Sequence, residues 1–119
     1  MDNKLITLIT ALTEKNLNND TIWQKTSGNN EFKIQLNKAT LTIDKWDDED
    51  GDNYSLEIYN ENGEKIQYLH SMESDESDQN NFETLMKLHN SVIKTYFKVE
   101  ETIDNILNEI TNNKVIGKN

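Results

Sequence analysis

Three observations predict an α+β domain: apolar residues at helical spacing near the start, strict alternation in four short segments between Phe32 and His70, and a long helical stripe after Asn80. They give an N-terminal helix, a four-stranded antiparallel meander and a long C-terminal helix, with both helices covering one face of the sheet. At 119 residues the chain fits a single domain with one modest core. That domain spans residues 1–112, and residues 113–119 read as a frayed tail.

Asp2 caps the first helix, whose Leu5, Leu8, Ile9 and Leu12 recur at helical spacing until the polar run from Asn16 to Asp20 ends it near residue 16. Trp23 follows in a polar connection with Gly28-Asn29-Asn30. Phe32, Ile34 and Leu36 then alternate with Lys33 and Gln35, and Leu41 and Ile43 repeat the alternation beyond Asn37-Lys38. A tight turn at Asn37-Lys38 sets Leu36 against Ala39, Ile34 against Leu41 and Phe32 against Ile43, so all the apolar side chains share a face.

The third strand, Tyr54-Leu56-Ile58, reaches the fourth, Ile66-Tyr68-His70, through Asn60-Glu61-Asn62-Gly63. A two-residue Asn62-Gly63 turn would send the two apolar sets to opposite faces. Parity therefore selects a three-residue loop closed by Gly63 in the left-handed region, pairing Asn60 with Glu64, Ile58 with Ile66 and Leu56 with Tyr68. The opposite face then displays Lys33, Gln35, Thr40, Thr42, Asp44, Ser55, Glu57, Tyr59 and Gln67. Asn80 with Glu83 reads as a capping box opening the last helix. Its stripe runs through Leu85, His89, Val92, Tyr96, Val99, Ile103, Ile106 and Ile110, wide enough to lie on a sheet. Lys98 and Glu100-Glu101 leave room for a bend near Phe97.

Charge excludes more than it identifies. The net charge is -10, and the chain has no arginine, cysteine or proline. Without cysteine there is no disulfide or thiolate zinc site, and without arginine no guanidinium clamp for phosphate. Lysine, asparagine and isoleucine dominate, the bias that an AT-rich genome writes by default. The acidic balance repels phosphate backbones and attracts cationic surfaces, which points to a basic protein partner and away from direct nucleic-acid binding. Met1-Asp2-Asn3-Lys4 is not followed by an apolar run long enough for a signal peptide or membrane span, so a cytoplasmic protein without membrane contact is expected.

Four constellations bear on chemistry. Asp48, Asp50 and Asp52 have the first, third and fifth oxygen spacing of a calcium loop, but Asn53 replaces its turn glycine and Tyr59 its bidentate glutamate. His70 and His89 both fall on expected core faces, where they could meet as an acid/base or metal pair or serve as ordinary core histidines. Nucleophile elbows and phosphate-binding glycine loops are missing. No cofactor is expected. The fourth is the acidic surface: Asp47, Asp48, Glu49, Asp50 and Asp52 in one loop, and Glu73, Asp75, Glu76 and Asp78 in another. In a meander both loops can emerge at one end of the sheet as a single negative pole that imitates nucleic-acid phosphates, or they can simply keep the protein soluble.

The order of helix, Trp23, two hairpins around Tyr54-Ser55-Leu56-Glu57-Ile58-Tyr59-Asn60-Glu61-Asn62-Gly63 and a helix opening with Leu85-Met86-Lys87-Leu88 resembles small uncharacterised bacterial and phage proteins. That resemblance implies the architecture and a home on mobile elements, with no activity to carry over. In size, acidity and build the chain is also similar to type III secretion chaperones. The expected function is a non-enzymatic, acidic protein-binding module of inhibitor, immunity or adaptor type. The alternatives are a chaperone-like dimer and a small enzyme or metal-binding protein using His70 and His89. Leu88 and Phe97, off the helical stripe, and Leu69, on the polar sheet face, would supply a homodimer contact.

Overall fold

The computed structural model describes residues 1–118. Helix α1 (Asn3–Leu17) is followed by strands β1 (Gln24–Lys25), β2 (Phe32–Gln35), β3 (Ala39–Asp48), β4 (Gly51–Asn60) and β5 (Lys65–Met72). A 3-10 turn (Glu76–Asp78) then leads into α2 (Gln79–Phe97) and α3 (Val99–Asn112). The strands form one antiparallel sheet in chain order, a five-stranded meander. No helix among the described residues is long and apolar enough to cross a membrane.

Asp2 caps α1 as expected, its Oδ1 accepting the Leu5 N–H at 2.8 Å. The first hairpin also has the expected register, with Phe32 opposite Ile43 and Ile34 opposite Leu41. All four of these residues are buried beneath the helices with Leu56, Leu85, Leu88 and Val92. The added strand β1 pairs Gln24 with Lys33 and Lys25 with Phe32, two residues that carry no apolar alternation to announce them.

Trp23 is not in an open connection. It is buried, and its indole N–H donates to Asn16 Oδ1 at 2.7 Å, which also accepts the Thr21 hydroxyl, while Asn16 Nδ2 donates to Ser91 Oγ at 2.9 Å. One buried amide thus ties α1, the approach to β1 and α2 together, its polar groups satisfied in a region where leaving them unpaired would be costly.

The second hairpin corrects the expected register. Its loop is as read: Gly63 lies at φ +80, and the Asn60 N–H donates to the Glu64 carbonyl. Immediately beyond, however, Tyr59 pairs with Lys65 and Ile58 with Gln67, so Ile66 is an extra, bulged residue. One inserted residue moves everything after it to the other face. Ile66 and Tyr68 are therefore exposed, and Leu69 lies opposite Leu56 and packs on the core. Two local gains accompany the slip. Lys65 reaches Glu57 at 2.9 Å with its ammonium over the Tyr59 and Tyr68 rings, and Ser71 turns inward to donate to Asp78 at 2.7 Å.

The C-terminal region also differs. The capping box does not form: α2 begins at Gln79, earlier than Asn80, and the Gln79 side chain donates to the Glu73 and Asp75 carbonyls. The single long helix is two helices, divided at Lys98, which takes a left-handed conformation (φ 50, ψ 50) and closes α2 by donating its N–H to the Lys94 carbonyl. Of these two, α2 is the one that lies on the sheet. Tyr96 and Phe97 are its last aromatic contacts, with ring centroids 5.0 and 6.4 Å from that of Phe32, and α3 buries no residue. Leu88 is fully buried, on the side of α2 that Ser91 turns towards α1, so the trio expected as a homodimer contact is reduced to Phe97.

Candidate functional site

The acidic segment around Asp47–Asp52 is a rigid hairpin tip and not a loose loop. Strands β3 and β4 stay paired to Asp47–Asp52 and Asp48–Gly51, leaving only Glu49 and Asp50 in the turn. Asp48 holds that turn, Oδ1 accepting the Asp50 N–H at 2.9 Å and Oδ2 the Asn53 side-chain amide at 3.0 Å. Gly51 takes φ +110, where any side chain would be strained, and a Cβ there would also displace the Glu73 carboxylate that lies against it.

That approach joins the two acidic segments. The Glu73 N–H donates to the Asp52 carbonyl at 2.9 Å, and the Asp52 N–H donates to Glu73 Oε1 at 3.0 Å. Asp75 caps the 3-10 turn that follows, and Asp78 accepts from Ser71 and from the Asn81 amide. All nine acidic residues read from the sequence thus stand on one end of the molecule, with the Lys45 ammonium 3.8 Å from Asp52. Glu49, Asp50 and Glu76 are exposed, and their carboxylates accept no hydrogen bond among the described residues. The field of this pole extends inward: burial raises the pKa of the Tyr54 hydroxyl, and the charges of Asp52 and Glu73 raise it further.

Asp48, Asp50 and Asp52 do not converge as a calcium loop would require. Among the described residues no three His, Cys, Asp or Glu side chains stand close enough to hold a metal ion. The histidines do not meet either. His89 is buried on the inner face between the rings of Phe32 and Tyr54, its Nε2–H donating to the Asn30 carbonyl at 2.8 Å and its Nδ1 without a partner among the described residues. Burial lowers its pKa, which keeps the ring neutral. His70 is carried by the β5 bulge to the outer face. An acid/base or metal site using both would have to span the sheet.

What His70 does instead was missed by the alternation reading. It stacks on Trp46 (centroids 5.2 Å apart, planes at 16°), and its Nε2 donates to Asn53 Oδ1 at 2.9 Å. Asn53 is buried and also holds Asp48, so hydrogen bonds run from the acidic tip to an exposed aromatic pair. Met72 lies across Asn53 on the same outer face. The signal was available: continuing the Thr40, Thr42, Asp44 alternation by one step puts Trp46 on the outer face next to the tip. Further along that face Glu57 accepts from the Tyr59 hydroxyl, and this bond, followed by the Lys65 ammonium, lowers the pKa of the Glu57 carboxyl. Asp44 shifts the other way, raised first by burial and then by the charge of Glu31.

No family model matches the chain, and neither a curated protein nor a solved structure matches it.

Proposed function

We propose that this protein is a non-enzymatic, acidic binding module of inhibitor, immunity or adaptor type, whose negative pole engages a basic surface on another protein as a mimic of nucleic-acid phosphates. The observation that carries this reading is the paired Asp52–Glu73 hydrogen bonding, which fixes two separate acidic segments against each other. A surface that merely confers solubility has no need of such fixing, whereas a recognition surface gains by holding its charges in place before binding. Trp46 on the flank of the pole, backed by His70, is the type of side chain that anchors protein interfaces, and it has carboxylates beside it. The reading requires no cofactor and places the protein in the cytoplasm, where a basic partner would be reached without crossing a membrane.

The test is affinity capture from host lysate, followed by binding kinetics on the captured protein at about 0.05 M and about 0.5 M salt. Glu49→Gln, Asp50→Asn and Glu76→Gln together remove three charges that accept no internal hydrogen bond among the described residues. This triple variant should associate about tenfold more slowly at low salt, and Trp46→Ala should dissociate faster with little change in association rate. Equal association of wild type and triple variant at both salt concentrations would reduce the pole to a solubilising surface.

A further inference from the structure

We propose that α3 is exchanged between two copies of this chain, the apolar stripe of each α3 lying in the groove between α1 and the β2–β3 hairpin of the other copy. This rests on a different surface from the acidic pole and is independent of it.

The donor side is an amphipathic helix whose apolar stripe no element among the described residues buries. Val99, Ile103, Ile106, Leu107 and Ile110 are between 39% and 55% exposed, and at 100° per residue they form a single stripe with Glu100 on one border and Glu109 on the other. Helix α3 contains no basic residue, so two such helices placed together would set like charges along their seam. It also projects from the domain: the radius of gyration is 17.2 Å against about 13.5 Å for a compact chain of this length, and the longest extent is 55 Å.

The acceptor side is a groove of about 270 Å³ lined by Leu8, Ala11, Leu12, Lys15, Leu36 and Leu41. It is the part of the sheet's inner face that α1 leaves open, with Leu8 and Leu36 41% and 51% exposed. On α1 the row Lys4, Leu8, Ala11, Lys15 has the same four-three-four spacing as Val99, Ile103, Ile106, Ile110 on α3, with a lysine at each end. Lys38 stands in the hairpin turn on the far side of the groove. An apolar stripe bordered by carboxylates therefore faces an apolar row ended by ammonium groups, complementary in both respects.

The α2–α3 joint favours a second copy over the helix's own groove. Lys98 is bonded on both sides, its N–H to the Lys94 carbonyl and its carbonyl accepting the Thr102 N–H. Folding α3 back onto its own α1 would break this joint, whereas exchange leaves it intact and satisfies both surfaces twice in a two-fold dimer.

The test combines light scattering with cysteine cross-linking, for which the cysteine-free chain is a clean background. Wild type at micromolar concentration should have twice the 13.9 kDa chain mass. Ile103→Lys with Ile110→Lys, and separately Leu36→Lys, all at exposed positions, should each weaken the dimer by about 100-fold or more while leaving circular dichroism unchanged. Mixing the two variants should partly restore it, since one intact stripe then meets one intact groove. Under mild oxidation Ile106→Cys mixed with Leu36→Cys should cross-link between chains, and neither alone. A monomeric wild type overturns the proposal, and so does a dimer in which Ile106→Cys links to itself or mixing restores nothing.

Discussion

Helices α2 and α3 are separated by one residue, Lys98, and differ in almost everything that surrounds them. Both were written as one amphipathic stripe, Leu85 to Ile110, with the same spacing of four and three. Along α2 the stripe is covered on two sides, by the sheet through Leu85, His89 and Val92 and by α1 through Ser91, so even Leu88, off the stripe, is buried. Along α3 an equally apolar stripe is bare. Amphipathic spacing states which face wants burial, while the length of the sheet decides how much of that face receives it. Here the last aromatic contact with the sheet is that of Phe97 with Phe32, and the helix breaks one residue later.

The largest consequence lies on α2. Truncating Leu88 to Ala should lower unfolding stability by about 2 to 5 kcal/mol, the usual cost of deleting a fully buried side chain whose surroundings relax only in part. A loss below about 0.5 kcal/mol in urea titration would put Leu88 on the surface and erase the contrast with α3.

A smaller effect concerns His89, in the most enclosed stretch of α2. In the fold, burial removes the water that would solvate its imidazolium and outweighs the bond to the Asn30 carbonyl and the charge of Asp44, which favour protonation, while Lys45 opposes it. Its folded pKa therefore lies below the ordinary 6.5, and as pH falls through 6.5 the unfolded chain takes up the proton first. Stability should be full above that pH and decline below it until the depressed folded pKa is reached, by at most about 1.4 kcal/mol per pH unit. Asp44, raised in the fold, binds its own proton nearer the carboxylate range and opposes the loss there. His89→Gln should flatten the slope between about pH 7 and 5.5, and an unchanged slope would assign it to another group.

What could be read from the sequence follows the same division. Where local pattern and tertiary cover agree, as in the Asp2 cap and the Phe32–Ile43 and Ile34–Leu41 pairs, position after position was legible. The β5 register was not, because a bulge leaves no mark in the alternation. Ile66 and Tyr68 are as apolar as Leu69, and the observed register comes with contacts the alternation does not show: the bonds of Lys65 and Ser71 and the packing of Leu69 on the core. Asn16 stands in a helix-ending polar run, and nothing nearby in the sequence signals that Ser91 and Trp23 meet it. At the site, the nine carboxylates and their common end were legible from composition and meander topology. The hydrogen bonds fusing them, and the Trp46–His70 stack beside them, required the actual register.

The joint between the two helices gives the smallest effect and the clearest sign. A non-glycine residue in the left-handed region costs roughly 1 to 2 kcal/mol, and Lys98 has no side-chain hydrogen bond among the described residues to offset it. Replacing Lys98 with Gly relieves that strain but gives the unfolded chain more freedom, so the net effect should be a gain of about 0.5 kcal/mol. If residues 79–112 instead formed one continuous helix in solution, the same substitution would place glycine in a helix interior and cost about 1 kcal/mol. The two arrangements predict opposite signs. Because a dimer's stability depends on concentration, the measurement belongs in the Leu36→Lys background, where exchange of α3 is disfavoured. A rise in the urea midpoint there would support the left-handed joint, and a fall would mean that α2 and α3 are one helix whose uncovered half simply extends beyond the sheet.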